Sequence, residues 1–284
     1  MSSVNVSADW PAAPPRLPVA DWIDFLLHQK AVDGLTPPAM PSVAMQDQFV
    51  GSNGRAALNE ASIFCEKLRE AAMKCGQDTL ANCRLLDFGV GWGRLYRILL
   101  NHCTPHSLIG VDIDSKCVQL CSEAMPYGTF QLSGDPPLSF APATFDIVYA
   151  YSVFSHLAEH AFRTYMSEFA RILKPGGLVV FTTLKGPHLD AWHRLSTGSD
   201  PWYVEYLKRA GFDHEGWLAR RANGEFLYVP TGGGDMRDSS FYGEAVVTEK
   251  FLIEKAPELG LSVVAFEERD EMPQAFVVLQ RPSN

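Results

Sequence analysis

The chain has 284 residues, 46% of them hydrophobic, with 24 Lys plus Arg against 33 Asp plus Glu for a formal charge of −9. That apolar content is ample for an ordinary buried core, while an acidic surplus is the opposite of what a grip on phosphate backbones needs, which makes nucleic acid a poor partner. The longest apolar runs, such as Leu178 to Phe181 with its neighbours, fall far short of the ~20 residues of a membrane helix, so no membrane association is expected.

The first residues, MSSVNVSADWPAAPPRLP, lack a basic start followed by an apolar stretch, so no secretory signal is read and a cytoplasmic location follows by default. Pro11, Pro14, Pro15 and Pro18 make residues 1 to 18 an irregular arm. Residues 19 to 32 place Trp22, Ile23, Leu26 and Leu27 at helical spacing, and Gly34, Pro37, Pro38 and Pro41 end that helix. A second helix is predicted over about 55 to 75, with Leu58, Ile63, Phe64 and Leu68 as its apolar stripe. The six cysteines, Cys65, Cys75, Cys83, Cys103, Cys117 and Cys121, show neither C-x-x-C pairs nor zinc-type spacing and read as reduced thiols, with no metal site.

From residue 83 short apolar runs alternate with amphipathic stretches, the rhythm of a parallel sheet with crossover helices. Strands are predicted at 83–88, 107–112, 129–133, 145–151 and 177–183, with helices near 93–102, 115–125 and 158–173. Lys174-Pro175-Gly176-Gly177 reads as a helix stop and a turn into the next strand. Residues 184 to 247 break the rhythm; rich in Trp, Tyr, His and Gly and containing TGGGD (231–235), they suggest an insertion with long loops. A helix near 248–259 precedes 262–268 and 274–280, which are close enough to pair as antiparallel strands. The expected fold is α/β, a Rossmann-like doubly wound sheet, mostly parallel with a C-terminal antiparallel strand pair and helices on both faces. Its segments are an N-terminal arm and helical lid (1–54), a Rossmann-like core (55–184), an insertion forming a pocket (185–247), and a C-terminal helix and strand pair (248–284).

The segment LLDFGVGWGRLYRILL (85–100) is a strand, a glycine-rich turn and a helix, in which Gly89, Gly91 and Gly93 let a nucleotide-like ligand approach bare backbone. A dinucleotide fingerprint would put its third glycine at position 94, where this chain has Arg94. Asp87, just ahead of the turn, can hold an ammonium group but would repel a pyrophosphate. Both departures favour adenosylmethionine over NAD. Asp112 ends the second predicted strand, where a carboxylate can accept from both ribose hydroxyls of an adenosine; NAD enzymes use the same device. Asp114, ahead of Ser115, suits a helix cap instead. Asp135, in GDPPLSF, is placed to accept from an adenine amino group or is a simple turn residue.

In order, LLDFGVGWGR, IGVDID, GDPPLSF, FDIVYAYSVFSHL and RILKPGG resemble the successive motifs of class I S-adenosylmethionine-dependent methyltransferases. The resemblance covers about 83 to 184, and the form DFGxGWGRxxR with a later SVFSHL is similar to a bacterial subset acting on sugars or other small metabolites. It implies S-adenosyl-L-methionine as cofactor, with Asp87, Gly89 and Gly91 around its methionine end, Asp112 and Ile113 at the ribose and adenine, Asp135 at the adenine amino group, and Tyr151 and Ser152 facing the sulfonium. No N/D-P-P-Y/F follows the fourth strand, a departure that speaks against base or amide N-methylation.

The expected function is therefore methyl transfer to a small-molecule acceptor, with an oxygen nucleophile on a sugar or metabolite. The alternatives left open are an N-methyltransferase, a decarboxylative or aminopropyl transfer from a related sulfonium, a non-catalytic adenosylmethionine-binding protein and a nicotinamide oxidoreductase. A homodimer is left open too. Trp192, Trp202, Tyr203 and Tyr242 are the expected lining of the acceptor pocket or else a small satellite core. A hydroxyl nucleophile must lose its proton, and histidine titrates near neutrality. His156, just beyond the fourth strand, is the first candidate for that base and a helix-capping residue its alternative; His188 is the second, with His193 and a possible orienting Asp190 nearby.

Overall fold

The computed structural model describes residues 10–283 apart from 12, 33, 78 and 234–236. Most of the arm predicted over 1–18, and Gly234 and Asp235 of the TGGGD stretch, therefore lie outside the described residues. The chain divides into two compact units, residues 1–134 and 135–284.

In the first unit α1 (Val19–His28), α2 (Val43–Val50) and α3 (Gly54–Lys74) precede β1 (Leu85–Phe88), α4 (Arg94–Leu99), β2 (Leu108–Asp112), α5 (Ser115–Ala124) and β3 (Thr129–Leu132). Proline and Gln29 in a left-handed conformation bound α1, whose Trp22, Ile23, Phe25 and Leu26 form its buried stripe. The strands run in the order β3-β2-β1 and pair in parallel, Leu85 to Phe88 facing Leu108 to Val111 and Ile109 to Asp112 facing Thr129 to Leu132. β1 and β2 are buried along their whole length, as strands covered on both faces must be, whereas β3 is largely exposed. The proline-rich stretch is irregular, as predicted, and Leu17 is fixed by exchanging two 2.8 Å hydrogen bonds with the Asn101 side chain. Cys65, Cys83, Cys103, Cys117 and Cys121 are buried and none of the six cysteines is in a disulfide; burial pushes Cys103 and Cys121 up to about 12, so they stay protonated.

The second unit holds β4 (Phe145–Ala150), α6 (Glu159–Ile172), β5 (Leu173–Thr183), α7 (Pro187–Ser196), α8 (Pro201–Arg209), α9 (His214–Asn223), β6 (Leu227–Val229), β7 (Glu244–Val246), α10 (Glu249–Lys255), β8 (Ser262–Glu267) and β9 (Ala275–Gln280). β4 and β5 are parallel; β5 with β9, and β9 with β8, are antiparallel. β1, β2 and β3 thus lie in the first unit and β4, β5, β8 and β9 in the second, and the fold class is Rossmann-like, mostly parallel with a C-terminal antiparallel pair. β5 begins earlier than predicted, because the KPGG segment is itself extended, with Gly176 at φ 79° and a register irregularity opposite it between Phe145 and Ile147.

The insertion differs from the long loops expected. Residues 187–223 form three short helices, two of them opened by prolines and two capped by the Asp200 and Asp213 carboxylates, followed by the β6-β7 hairpin. They enclose a core of their own: Leu184, Leu189, Trp192, Leu207, Trp217, Leu227, Val229 and Val246 are buried together. Apolar area on several short elements is worth roughly 25 cal/mol per Å² once pooled, which explains why helices of nine or ten residues hold here.

Candidate active site

The glycine turn closes the gap between β1 and α4. The amides of Gly89 and Val90 both donate to Val111 O at 2.9 Å, and Gly89, Gly91 and Gly93 have φ of 83°, 52° and 75°. The glycines are not equivalent. A Cβ on Gly93 would fall 2.7 Å from Arg97 Nη1 and 2.8 Å from Met125 Cε, so packing as well as φ requires glycine there, and Gly93 is a packing position where the sequence suggests ligand access. A Cβ on Gly91 would meet only the Phe49 ring, at 3.6 Å. Gly91 is therefore the place where the backbone is approachable, under the ring of an α2 residue that is 38% exposed.

Arg97, which sequence reasoning passed over although it stands in the GRxxR pattern, is fully buried and holds this turn. Its Nη1 donates to Trp92 O and Gly93 O, its Nη2 to Ala39 O at 2.6 Å, and the guanidinium lies 5.5 Å from the Trp92 ring centroid. Burial pulls Arg97 down to about 10, so it remains a cation at neutral pH. Arg94 pairs with Glu60 on α3 at 2.9 Å. Two arginines one helical turn apart thus tie the glycine turn to α3 and to Ala39 of the N-terminal segment.

Asp112 ends β2, 7% exposed, with Oδ2 accepting from Gly91 N at 2.8 Å and Oδ1 from Asp114 N at 2.9 Å. An ionised carboxylate accepts up to about four hydrogen bonds, so anchoring the turn and recognising a diol are compatible in one group. Asp114 caps α5 through Lys116 N, and Ile113 between them is half-buried. Asp87 on β1 is 1% exposed, and its charge adds to the burial that raises Cys65 and Tyr96. A turn with positive-φ glycines, an approachable Gly91 and a carboxylate bonded to its amide fits the adenosine and amino-acid ends of adenosylmethionine. Asp135 is exposed, at the start of the second unit.

In the second unit β4 runs out at Ala150 into a turn-rich segment with Tyr151 half-buried. Ser152 has φ 56°, a left-handed conformation that costs a non-glycine residue of order 1–3 kcal/mol. A closed set of hydrogen bonds holds it there: Ser152 N donates to Thr182 Oγ1 (2.8 Å), Thr182 Oγ1 to Gln274 Oε1 (2.6 Å), and Gln274 Nε2 to Ser152 Oγ (2.9 Å). Gln274 lies 122 positions beyond Ser152 in sequence, and no local pattern points to it.

His156 does not cap the next helix; Ala158 is the N-cap of α6. It is gripped instead by residues 242–244. Gly243 N donates to His156 O at 2.7 Å, His156 Nδ1 donates to Gly243 O at 2.8 Å, and the imidazole stacks on Tyr242 with centroids 5.1 Å apart and planes 10° from parallel. Since a carbonyl only accepts, Nδ1 carries the proton and neutral His156 keeps its lone pair on Nε2. Burial lowers its pKa below the ordinary 6.5, so the neutral form prevails at pH 7. His188 is arranged the other way. Its Nδ1 accepts from Lys185 N at 3.2 Å, which puts the neutral ring's proton on Nε2 and leaves that nitrogen a donor. Burial lowers His188 too, but its one ring lone pair is already engaged by the Lys185 amide.

Glu244, not singled out by the sequence, gathers two of the predicted pocket aromatics: Trp192 Nε1 and Tyr203 OH both donate to its Oε2. The Trp192 ring itself belongs to the insertion's core, edge-on to Phe212 and Trp217, and its N–H reaches out to Glu244. Trp202 is 75% exposed. Asp190 orients neither His188 nor His193; its Oδ1 lies 2.9 Å from His214 Nε2, and His193 stacks on His214 at 4.5 Å. No cluster suited to a metal ion occurs among the described residues.

Residues 86–181 match the family model described as a methyltransferase domain. Among solved structures, an S-adenosylmethionine-dependent methyltransferase from Clostridium acetobutylicum aligns with TM-score 0.52 and 12% identity over 84% of this chain and 97% of that one. Magnesium protoporphyrin IX methyltransferase from Synechocystis with bound SAH gives 0.49 and 14% over 83% and 93%. An S-adenosylmethionine-dependent methyltransferase from Mesorhizobium loti gives 0.48 and 16% over 75% and 96%. The first of these likenesses speaks for the fold; the domain match speaks for the chemistry. The chain is an enzyme of the S-adenosylmethionine-dependent methyltransferase class, and S-adenosylmethionine is its cofactor. No helix among the described residues is long and apolar enough to cross a membrane.

Proposed function

We propose that the protein methylates a hydroxyl oxygen of a small molecule, a sugar or another metabolite, with His156 as general base. The observation that carries this reading is the His156 tautomer, fixed by Gly243 O and leaving Nε2 to take a proton. Bound adenosylmethionine supplies a sulfonium-activated methyl whose transfer is downhill and leaves S-adenosylhomocysteine. Asp112 and the Gly89–Gly91 turn bind it, and Asp87 takes the charge of its amino group. In the second unit Ser152 is held in a strained conformation, Tyr242 and Tyr203 wall the acceptor, and Nε2 of His156 removes the hydroxyl proton as the new O–CH3 bond forms. The formal charge of −9 disfavours a nucleic-acid acceptor. Incubation with methyl-labelled adenosylmethionine and an extract of the source organism should yield a labelled low-molecular-weight methyl ether; label confined to protein, nucleic acid or a methylated nitrogen would refute the reading.

Within the first unit the segment before Gly54 acts as a lid on the glycine turn, fixed by Arg97 to Ala39 and laid over Gly91 by Phe49. Phe49→Ala is expected to weaken adenosylmethionine binding about fivefold by calorimetry without shifting the melting temperature, since a ring 38% exposed contributes little to the core. Unchanged affinity would show that α2 packs there without serving the cofactor.

A further inference from the structure

Glu244 is a half-buried carboxylate whose negative charge no described cation neutralises. Its Oε2 takes two neutral donors, the Trp192 indole N–H and the Tyr203 phenol, and no described group hydrogen-bonds its Oε1. Several other carboxylates of the chain are paired. Glu60, Glu66, Glu159, Glu168, Asp146 and Glu268 each face an arginine or lysine within 4.0 Å. Lys185 and Arg237, whose charges reach His188 and His156, are engaged elsewhere: Lys185 Nζ donates to Arg269 O at 2.6 Å, and Arg237 lies over the Tyr242 ring at 5.1 Å.

The carboxylate is also aimed. Trp192 is anchored in the insertion's core and Tyr203 packs against that core, so two elements, α7 and α8, fix Oε2 while the backbone of 242–244 is fixed by His156. Oε1 is what remains to meet a ligand. Glu244 lies close enough to His156 and His188 for its charge to act on both rings, and neither ring is protonated at pH 7 to answer it. A carboxylate oriented through one oxygen by two neutral donors is pre-organised to accept a charged donor at the other.

We infer that Glu244 is the residue that selects the acceptor, and that the acceptor carries a protonated amine which pairs with Glu244 Oε1. The amine is a handle distinct from the nucleophile: an ammonium has no lone pair to methylate, so the methyl still goes to the hydroxyl whose proton His156 removes. Acceptors bearing a carboxylate or phosphate at the same position would meet repulsion at Glu244 and are rejected. This inference rests on the small-molecule reading of the function above.

The test separates the two. An extract of the source organism is split on a strong cation exchanger at pH 7, and each fraction is incubated with the full-length protein and methyl-labelled adenosylmethionine, the products being resolved from the donor by chromatography. Label is expected in products from the retained, cationic fraction. Glu244→Gln, which keeps the size of the side chain, is expected to cut that transfer at least tenfold while calorimetry shows unchanged adenosylmethionine affinity. Label only from the flow-through would overturn the amine assignment and leave the small-molecule reading standing. Undiminished transfer by Glu244→Gln would overturn the role of Glu244. No labelled small molecule from either fraction would remove the reading on which both stand. If the Gln variant does not fold, as judged by circular dichroism, the fractionation arm still decides the acceptor class.

Discussion

Replacing Asp112 by Ala is expected to weaken adenosylmethionine binding at least tenfold, and the structure gives two routes to that loss. One is direct: hydrogen bonds from ribose hydroxyls to an ionised carboxylate are worth ~1.5–3 kcal/mol each, so losing even one is a tenfold effect. The other runs through the turn, because Asp112 Oδ2 holds Gly91 N and Oδ1 holds Asp114 N. Removing the carboxylate frees the amide of the glycine whose backbone is the approachable one in the turn. Asp112→Asn distinguishes the two. Its amide keeps one oxygen for Gly91 N but loses the charge, so it should bind more tightly than Asp112→Ala and less tightly than the native protein. Calorimetry, with circular dichroism as the check on folding, reads both; near-native affinity in the Ala variant would remove Asp112 from the cofactor site.

Much of the strand, glycine turn and helix was legible in sequence because its signals are local. A strand, three glycines and a helix occupy sixteen consecutive positions (85–100), and Asp112 follows at the end of the next apolar run. Backbone conformation and the residue that permits it are the same fact there, as the positive φ of Gly89, Gly91 and Gly93 shows. α2 was missed for an equally physical reason: VAMQDQFV buries only Gln46, and so offers no apolar stripe to read. The insertion was misread because its aromatics suggested loops, whereas Trp192, Leu207 and Trp217 stabilise three helices only by meeting one another. The proposed acceptor side depends on partners far apart in the chain. His156 with Gly243 spans 87 positions and Trp192 with Glu244 spans 52, and neither the tautomer of His156 nor the existence of Glu244 as a hub is written in any local spacing.

His156→Ala should lower the turnover number by ~10²-fold or more with adenosylmethionine affinity nearly intact, the loss expected when a positioned base is removed from a proton transfer. His188→Ala should cost far less, because the Lys185 amide occupies the nitrogen that would have to act and the other is a donor. The pH dependence follows from the direction of the shift. Burial lowers the pKa of His156 below 6.5, so the active neutral form is present above that value and is lost as pH falls through the lowered pKa; the acid limb of turnover lies below 6.5 and vanishes in the Ala variant. Stability shares the sign, since the unfolded chain binds the proton more readily: the contribution from a neutral His156 is complete above 6.5 and declines below it. Tyr242→Leu tests the grip on the ring apart from its basicity. It removes the stacked partner but leaves the Gly243 carbonyl, so turnover should fall severalfold while the acid limb survives. Full turnover by His156→Ala from pH 6 to 9 would mean that methyl transfer here proceeds by positioning alone, with the hydroxyl proton passing to water.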